Sequence, residues 1–219
     1  MNYGKNKYIV ERYNIGVEEN LKKICVNNIE PLIESEMQDK ENAFKKYGMT
    51  NWLLYKSYGN DFEDFVGMLS VIAQRYTKKH FKKEVKGEFF VSELWGIVSE
   101  PSGLATPHNH WPGVFTFVYH LELPENNPPL IFTDSDLEIQ PQEGELIFFP
   151  SWLKHEVPEN LTGGNRICIA GNIYYNEQTI WWRLSTEILW KKGCELTSIV
   201  LVTLNPWLSK NVFEPVFLS

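Results

Sequence analysis

From residue 88 onward the chain is a succession of short β-rich segments, and this pattern constrains the fold more than any other feature of the sequence. Clusters of glycine, proline and asparagine separate the runs, which read EFFVSELWGIVSE, GVFTFVYHLELP, PLIFTD, LEIQP, GELIFFP and NRICIAGNIYY. Closely spaced strands joined by turns are typical of an all-β sandwich or barrel. The sequence therefore predicts a β-barrel core at about residues 88–176.

The residues before this core have a helical pattern. Apolar side chains recur at helical spacing in residues 17–37 and 61–83, and Asp61 is a candidate N-cap for the second of these segments. A chain of 219 residues with 43% apolar content favours one domain with a core that needs no disulfide. We expect a single domain, residues 1–219, with a helical part at about 1–87 and a C-terminal extension at 177–219 of undefined role.

Charge and composition exclude several classes of function. The net charge of −7 and the pI of about 5.3 argue against general nucleic-acid binding. The N-terminus lacks the apolar stretch of a signal peptide, and no apolar run is long enough to span a bilayer. The three cysteines form no CxxC pair. These features predict a cytoplasmic protein without membrane contact, and they leave open whether it forms a homo-oligomer.

Three of the five histidines have a spacing that suits a metal site. His108 and His110 lie in the segment PHNHWPG, and strand alternation would place both on one face, as two ligands of one ion require. His155 follows the apolar strand GELIFFP and a turn bounded by proline. An HxH pair alone is weak evidence for a metal site, because such a pair more often lies in a surface loop, so its interpretation depends on His155.

The strand NRICIAGN carries an arginine on a face that otherwise holds small side chains and an amide. Its alternation separates an apolar face from a face with Arg166, Cys168, Ala170 and Asn172. A guanidinium that points into a barrel must be paired. A small dicarboxylic acid would pair with Arg166, and so would a carboxylate of the barrel itself. The sequence leaves both partners open.

The core region resembles the Fe(II)/2-oxoglutarate oxygenases, in particular a bacterial and phage branch that reads W, HxHP, SGVYYVQVP, GDLLLFPSWLPHSV and RISISFN. The most specific part is FPSWL-x-H followed by an arginine. The matching residues span about residues 90–175: Trp95, His108, His110, Thr116, Val118, Tyr119, Pro124, Gly144, Phe149, Pro150, Ser151, Trp152, Leu153, His155, Arg166, Ile167, Ile169 and Asn172.

The resemblance implies a mainly β fold with flanking helices, specifically a double-stranded β-helix of the jelly-roll or cupin type. It implies that His108, His110 and His155 bind Fe(II) and that O2 and 2-oxoglutarate are co-substrates. Arg166 would pair with the distal carboxylate of 2-oxoglutarate, with Thr116, His120 and Asn172 as further co-substrate residues. The oxidised substrate, a small molecule or a peptide, is not identified.

The chain departs from the branch at Trp111, Phe117 and His120, which replace proline, glycine and tyrosine. His120 could donate a hydrogen bond to the co-substrate or be a core histidine. The wider superfamily usually has HxD or HxE, so His110 stands where a carboxylate is expected. A three-histidine cupin-type dioxygenase without 2-oxoglutarate, and a barrel that binds a metal or ligand without catalysis, therefore remain alternatives.

Overall fold

The computed structural model describes residues 10–31, 44–82, 84–135 and 137–177, so the predicted extension at 177–219 lies almost entirely outside the described residues. The helices are α1 (Glu19–Asn27), α2 (Leu54–Ser57) and α3 (Gly59–Tyr76), the last continued by a π-helical segment at Thr77–Phe81. The strands are β1 (Glu11–Asn14), β2 (Glu30–Pro31), β3 (Phe44–Met49), β4 (Glu88–His108), β5 (Phe115–Glu122), β6 (Leu130–Phe132), β7 (Leu137–Ile139), β8 (Glu145–Pro150), β9 (His155–Val157) and β10 (Arg166–Asn176).

These strands form one antiparallel sheet in the order β1-β8-β5-β10-β4-β9-β6-β7, with β3 also paired to β4. The long strand β4 joins the two halves of the sheet. Its first part pairs with β10 from Glu88 to Ser99, and its last part pairs with β9 between Ala105 and His108. This arrangement confirms the predicted jelly-roll fold, a curled sheet with few helices.

The central strands have two different faces. On one face, apolar side chains of β5, β8 and β10 pack under the helices in a core that includes Phe62, Phe65, Leu69, Phe117, Tyr119, Phe148 and Ile169. The opposite face, called the interior face here, carries Arg166, Cys168, Ala170 and Asn172 of β10. Their partners on β5 include His120, Val118 and Thr116. Because side chains alternate along a strand, burying the first set under helices directs the second set into the barrel.

Residues 28–31 are not helical, although the sequence predicts a helix at 17–37, of which residues 32–37 lie outside the described residues. Helix α1 ends at Asn27, and the chain then enters β2, where Pro31 has no N–H with which to continue a helix. Asp61 is not the N-cap of α3, which begins at Gly59, although it lies in the first turn and accepts a hydrogen bond from Asn20. None of the helices in the described ranges is long and apolar enough to cross a bilayer.

Close contact between β10 and β4 depends on Gly171. A Cβ at this position would lie 2.5 Å from the Glu93 carbonyl oxygen and 2.6 Å from the Phe117 ring. We expect Gly171→Ala to lower the free energy of unfolding by about 1–3 kcal/mol, as overpacking usually does, measured by chemical denaturation. Gly67→Ala is the matched control, because Gly67 lies in α3 with open space around it. That change should raise stability by roughly 0.5–1 kcal/mol. Equal stability of Gly171→Ala and the parent would contradict this close contact between the strands.

Candidate metal centre

Three histidines converge at one end of the interior face. His108 ends β4, His155 begins β9, and the two are register partners across the sheet. His110 lies two residues beyond the end of β4, where its N–H donates to the Ser151 carbonyl at 2.8 Å. One ring nitrogen from each histidine falls within 4.8 Å of the others. This separation lets the three nitrogens bind a single ion.

Two of the three rings are oriented by backbone hydrogen bonds. His108 Nδ1 lies 2.7 Å from the Thr106 carbonyl oxygen, and His155 Nδ1 lies 3.0 Å from that of Leu153. Because a carbonyl only accepts, both Nδ1 atoms carry the proton, and each Nε2 keeps its lone pair. A metal-binding histidine typically donates its other N–H in this way. The tautomers of His108 and His155 therefore suit metal binding through Nε2.

His110 is held mainly by stacking. Its ring centroid lies 5.2 Å from that of His155 at 14°, and 5.8 Å from that of Trp95 at 29°. No ring hydrogen bond of His110 is found among the described residues. It is thus the least constrained of the three rings, at the position where the wider superfamily has a carboxylate.

Burial keeps all three imidazoles neutral. It lowers the pKa of His155 to about 3 and that of His110 to about 4, and it lowers the pKa of His108 as well. The neighbouring histidines add to the effect at His110 and His155, because each disfavours a second positive charge. A neutral imidazole is the form that binds a metal, so no proton has to be displaced at neutral pH.

Arg166 begins β10 at the other end of the interior face and is 3% exposed. Its Nη1 donates to the Pro128 carbonyl at 3.4 Å, its Nη2 donates to His120, and its Nε has no partner. No carboxylate among the described residues forms a salt bridge with Arg166. The described residues therefore supply no anion to balance this guanidinium, and an uncompensated buried charge is costly.

His120 is fully buried and holds this guanidinium in place. Its Nδ1 lies 3.2 Å from the Glu145 carbonyl oxygen, and its Nε2 lies 3.0 Å from Arg166 Nη2. The carbonyl requires the proton on Nδ1, so Nε2 accepts from the arginine. Burial, and then the charge of Arg166, hold the pKa of His120 well below its usual range. In this state His120 contacts Arg166 rather than offering a free N–H to a co-substrate.

Thr116 and Asn172 form a polar chain with Ser151, whose carbonyl accepts the His110 N–H. Asn172 follows Arg166 by six residues, which is about 20 Å along a strand. Thr116 Oγ1 lies 2.8 Å from Ser151 Oγ and 3.1 Å from Asn172 Oδ1, while Asn172 Nδ2 donates to Glu93 at 2.6 Å. The structure therefore joins His120 to Arg166, and it links Thr116 and Asn172 through Ser151 to the backbone of His110. Ser151 and Glu93 are members of this polar chain that sequence reasoning did not single out.

Comparison with known proteins adds a family and a fold. The family described as "Putative 2OG-Fe(II) oxygenase" matches residues 133–172, a segment that contains His155, Arg166 and Asn172. No curated protein matches the sequence at a significant level. This family match confirms the resemblance to Fe(II)/2-oxoglutarate oxygenases, and with it the predicted enzyme class and its cofactors, Fe(II), 2-oxoglutarate and O2.

Three solved structures are similar to this chain at low sequence identity. A prolyl-4-hydroxylase from Pseudomonas putida is 11% identical, with a TM-score of 0.50 over 77% of this chain and 93% of its own. A viral collagen prolyl hydroxylase from Paramecium Bursaria Chlorella virus-1 is 15% identical, with a TM-score of 0.48 over 77% and 96%. HygX from Streptomyces hygroscopicus, with nickel and 2-oxoglutarate bound, is 10% identical, with a TM-score of 0.49 over 77% and 84%. The Pseudomonas structure supports the fold assignment.

Proposed function

We propose that His108, His110 and His155 hold Fe(II), that Arg166 binds the distal carboxylate of 2-oxoglutarate, and that the enzyme hydroxylates a small molecule or a peptide. The observation that carries this proposal is the environment of the Arg166 side chain. It is a buried guanidinium on the interior face with no carboxylate partner in the described chain and with an unpartnered Nε. A dicarboxylic acid supplies the missing charge, and two parallel N–H···O bonds suit arginine.

The residues present fit the cofactor. Three neutral imidazoles leave a ferrous ion with its full double charge, and a dianionic co-substrate would balance that charge. On the interior face of β10, the residues that follow Arg166 toward the histidine end are Cys168 and Ala170, which have small side chains. Ala170 lies about 13 Å along the strand from Arg166. This spacing leaves room for the arginine side chain and a short diacid.

The protein's own groups position and shield the site. The carbonyls of Thr106 and Leu153 fix two rings. Trp95 and His155 both stack on the third, His110, and His120 fixes Arg166. The buried rings of Phe132 and Phe149 pack against His155 and exclude water from its inner side. When bound, iron with 2-oxoglutarate and O2 supplies the oxidising chemistry, and the protein supplies geometry and a dry pocket.

The test is aerobic incubation of the protein with Fe(II), 2-oxoglutarate and ascorbate, with succinate as the measured product. Slow succinate formation is expected even without a primary substrate, because such enzymes turn over uncoupled. Parallel reactions omit 2-oxoglutarate or Fe(II). Absence of both succinate and 2-oxoglutarate binding in iron-loaded protein would reject the proposal. Oxygen uptake without 2-oxoglutarate would favour the three-histidine dioxygenase.

We expect His110→Asp to retain Fe(II) better than His110→Ala. Asp restores the two-histidine, one-carboxylate set at a position whose ring is held by stacking alone among the described contacts. Iron affinity is measured without oxygen by competition with a chelator. His110→Asn is the control, since it matches Asp in size and lacks the charge. If all three variants bind iron as tightly as the parent, His110 is not a ligand.

A further inference from the structure

A carboxylate lies at the histidine end of the interior face, opposite to Arg166. Glu93 of β4 pairs in register with Asn172 and accepts its Nδ2 hydrogen bond at 2.6 Å. It precedes by two residues Trp95, the ring that stacks on His110. The register shifts immediately beyond the Glu93–Asn172 pair, and such bulges redirect side chains near active sites. Glu93 is therefore linked to the candidate metal centre through Trp95, which lies two residues along β4 and stacks on His110.

Within the described ranges no lysine, arginine or histidine forms a salt bridge with Glu93. The buried Arg166 lies about 20 Å away along the neighbouring strand, so the two charges do not pair. Asn172 supplies one neutral hydrogen bond to a half-buried acid. The interior face thus has an unbalanced positive charge at one end and an unbalanced negative charge at the other.

Aromatic residues lie at strand positions adjacent to Glu93 and its partner Asn172, and two of them, Trp52 and Phe90, are exposed to solvent. Trp52, 52% exposed, stacks on Trp95 with centroids 4.8 Å apart, and its carbonyl accepts the Leu94 N–H next to Glu93. Tyr174 follows Asn172 by two residues, and its ring lies 6.3 Å from that of Phe90, which is 43% exposed. Tyr174 lies on the same strand as Asn172, the hydrogen-bond partner of Glu93. Burial, and then the negative charge of Glu93, raise the pKa of Tyr174.

We propose that Glu93, with the rings of Trp52, Phe90 and Tyr174, binds a cationic group of the primary substrate, an ammonium or a guanidinium. A carboxylate among exposed aromatic faces is the arrangement that such cations prefer, because ring faces and carboxylate both attract positive charge. The proposal rests on the proposed function and deepens it: Arg166 selects the anionic co-substrate, and Glu93 selects a cationic substrate beside the metal.

A free amine and a lysine side chain both supply such a cation, and two probes distinguish these sources. One probe is n-butylammonium with n-butanol as its neutral counterpart. The other is the blocked peptide Gly-Gly-Lys-Gly-Gly with Gly-Gly-Met-Gly-Gly as its counterpart. Each is titrated by calorimetry at low salt, into metal-free protein and into protein loaded anaerobically with Fe(II) and 2-oxoglutarate. We expect each cation to bind at least about 10-fold tighter than its neutral counterpart, and the tighter cation identifies the source.

Glu93→Gln removes the charge and keeps an oxygen for Asn172. We expect it to weaken cation binding about 10- to 100-fold, with unchanged affinity for iron and 2-oxoglutarate. Glu100→Gln is the control, an exposed acid on the same strand. Trp52→Ala is a second test that leaves Glu93 intact, with an expected loss of about 3-fold or more. Equal binding of cations and neutral probes, or unchanged cation binding in Glu93→Gln, would overturn this inference. If the parent protein itself fails to bind iron or 2-oxoglutarate, the proposed function is overturned instead.

Discussion

His155→Ala is expected to abolish stoichiometric Fe(II) binding by the purified protein. His155 is the most buried of the three histidines, its tautomer is fixed by the Leu153 carbonyl, and its ring packs against Phe149. Removing it leaves two imidazoles for an ion that needs more ligands. Changing a group that merely orients a ligand typically lowers metal affinity 10- to 100-fold, so loss of the ligand itself should exceed this range. Metal analysis after anaerobic reconstitution and desalting measures the effect.

The matched control is His80→Ala. His80 contacts Glu11 at the end of the helical segment and belongs to no candidate metal cluster among the described residues. That variant should retain iron at the level of the parent. A thermal melt of metal-free His155→Ala separates loss of a ligand from loss of the fold. A folded His155→Ala protein with near-stoichiometric iron would refute the assignment of the three histidines.

The barrel strands could be predicted because each carries its own local signal. All six β-rich runs seen in the sequence contain a strand, from β4 to β8 and β10. The strands before the core have no such signal. β1 has four residues with alternating burial and pairs with β8, more than a hundred residues away. Strand pairing over such a long separation depends on the completed sheet, and a local sequence pattern cannot predict it.

Site residues could be predicted where their spacing in the sequence agrees with the motif of a known family. Contacts that depend on the register between neighbouring strands could not be predicted. HxH spacing and the FPSWL-x-H block pointed to three histidines that the fold brings together. The contact of His120 with Arg166 arises because β5 and β10 are antiparallel neighbours in one particular register. The same holds for Glu93, which becomes a site residue by pairing with Asn172. The ligand and co-substrate roles of all these residues stay predictions until the variants are measured.

Arg166→Ala is expected to lower the affinity for 2-oxoglutarate tens- to thousands-fold while iron binding is unchanged. Truncation removes a charge-assisted bidentate contact and leaves a buried carboxylate unpaired, which costs about 2–5 kcal/mol. Arg166→Lys should recover part of the lost affinity, since lysine keeps the positive charge but cannot form the bidentate contact of a guanidinium. The affinity is measured by titrating the Fe(II) protein under nitrogen and following the metal-to-ligand absorption band. Arg75→Ala removes an equal charge from an exposed helix position and should leave the affinity unchanged.

Arg166→Met tests whether the arginine serves binding rather than folding. Methionine keeps an unbranched stem and removes a buried charge that no described carboxylate balances. Breaking a structural buried ion pair typically costs about 3–5 kcal/mol. Here only hydrogen bonds to His120 and Pro128 are lost, and relief of the unpaired charge offsets them. We expect the free energy of unfolding without 2-oxoglutarate to fall by no more than about 1 kcal/mol, while 2-oxoglutarate affinity falls as in Arg166→Ala. Unchanged 2-oxoglutarate affinity together with a large loss of stability would assign Arg166 to the fold and remove it from the co-substrate site.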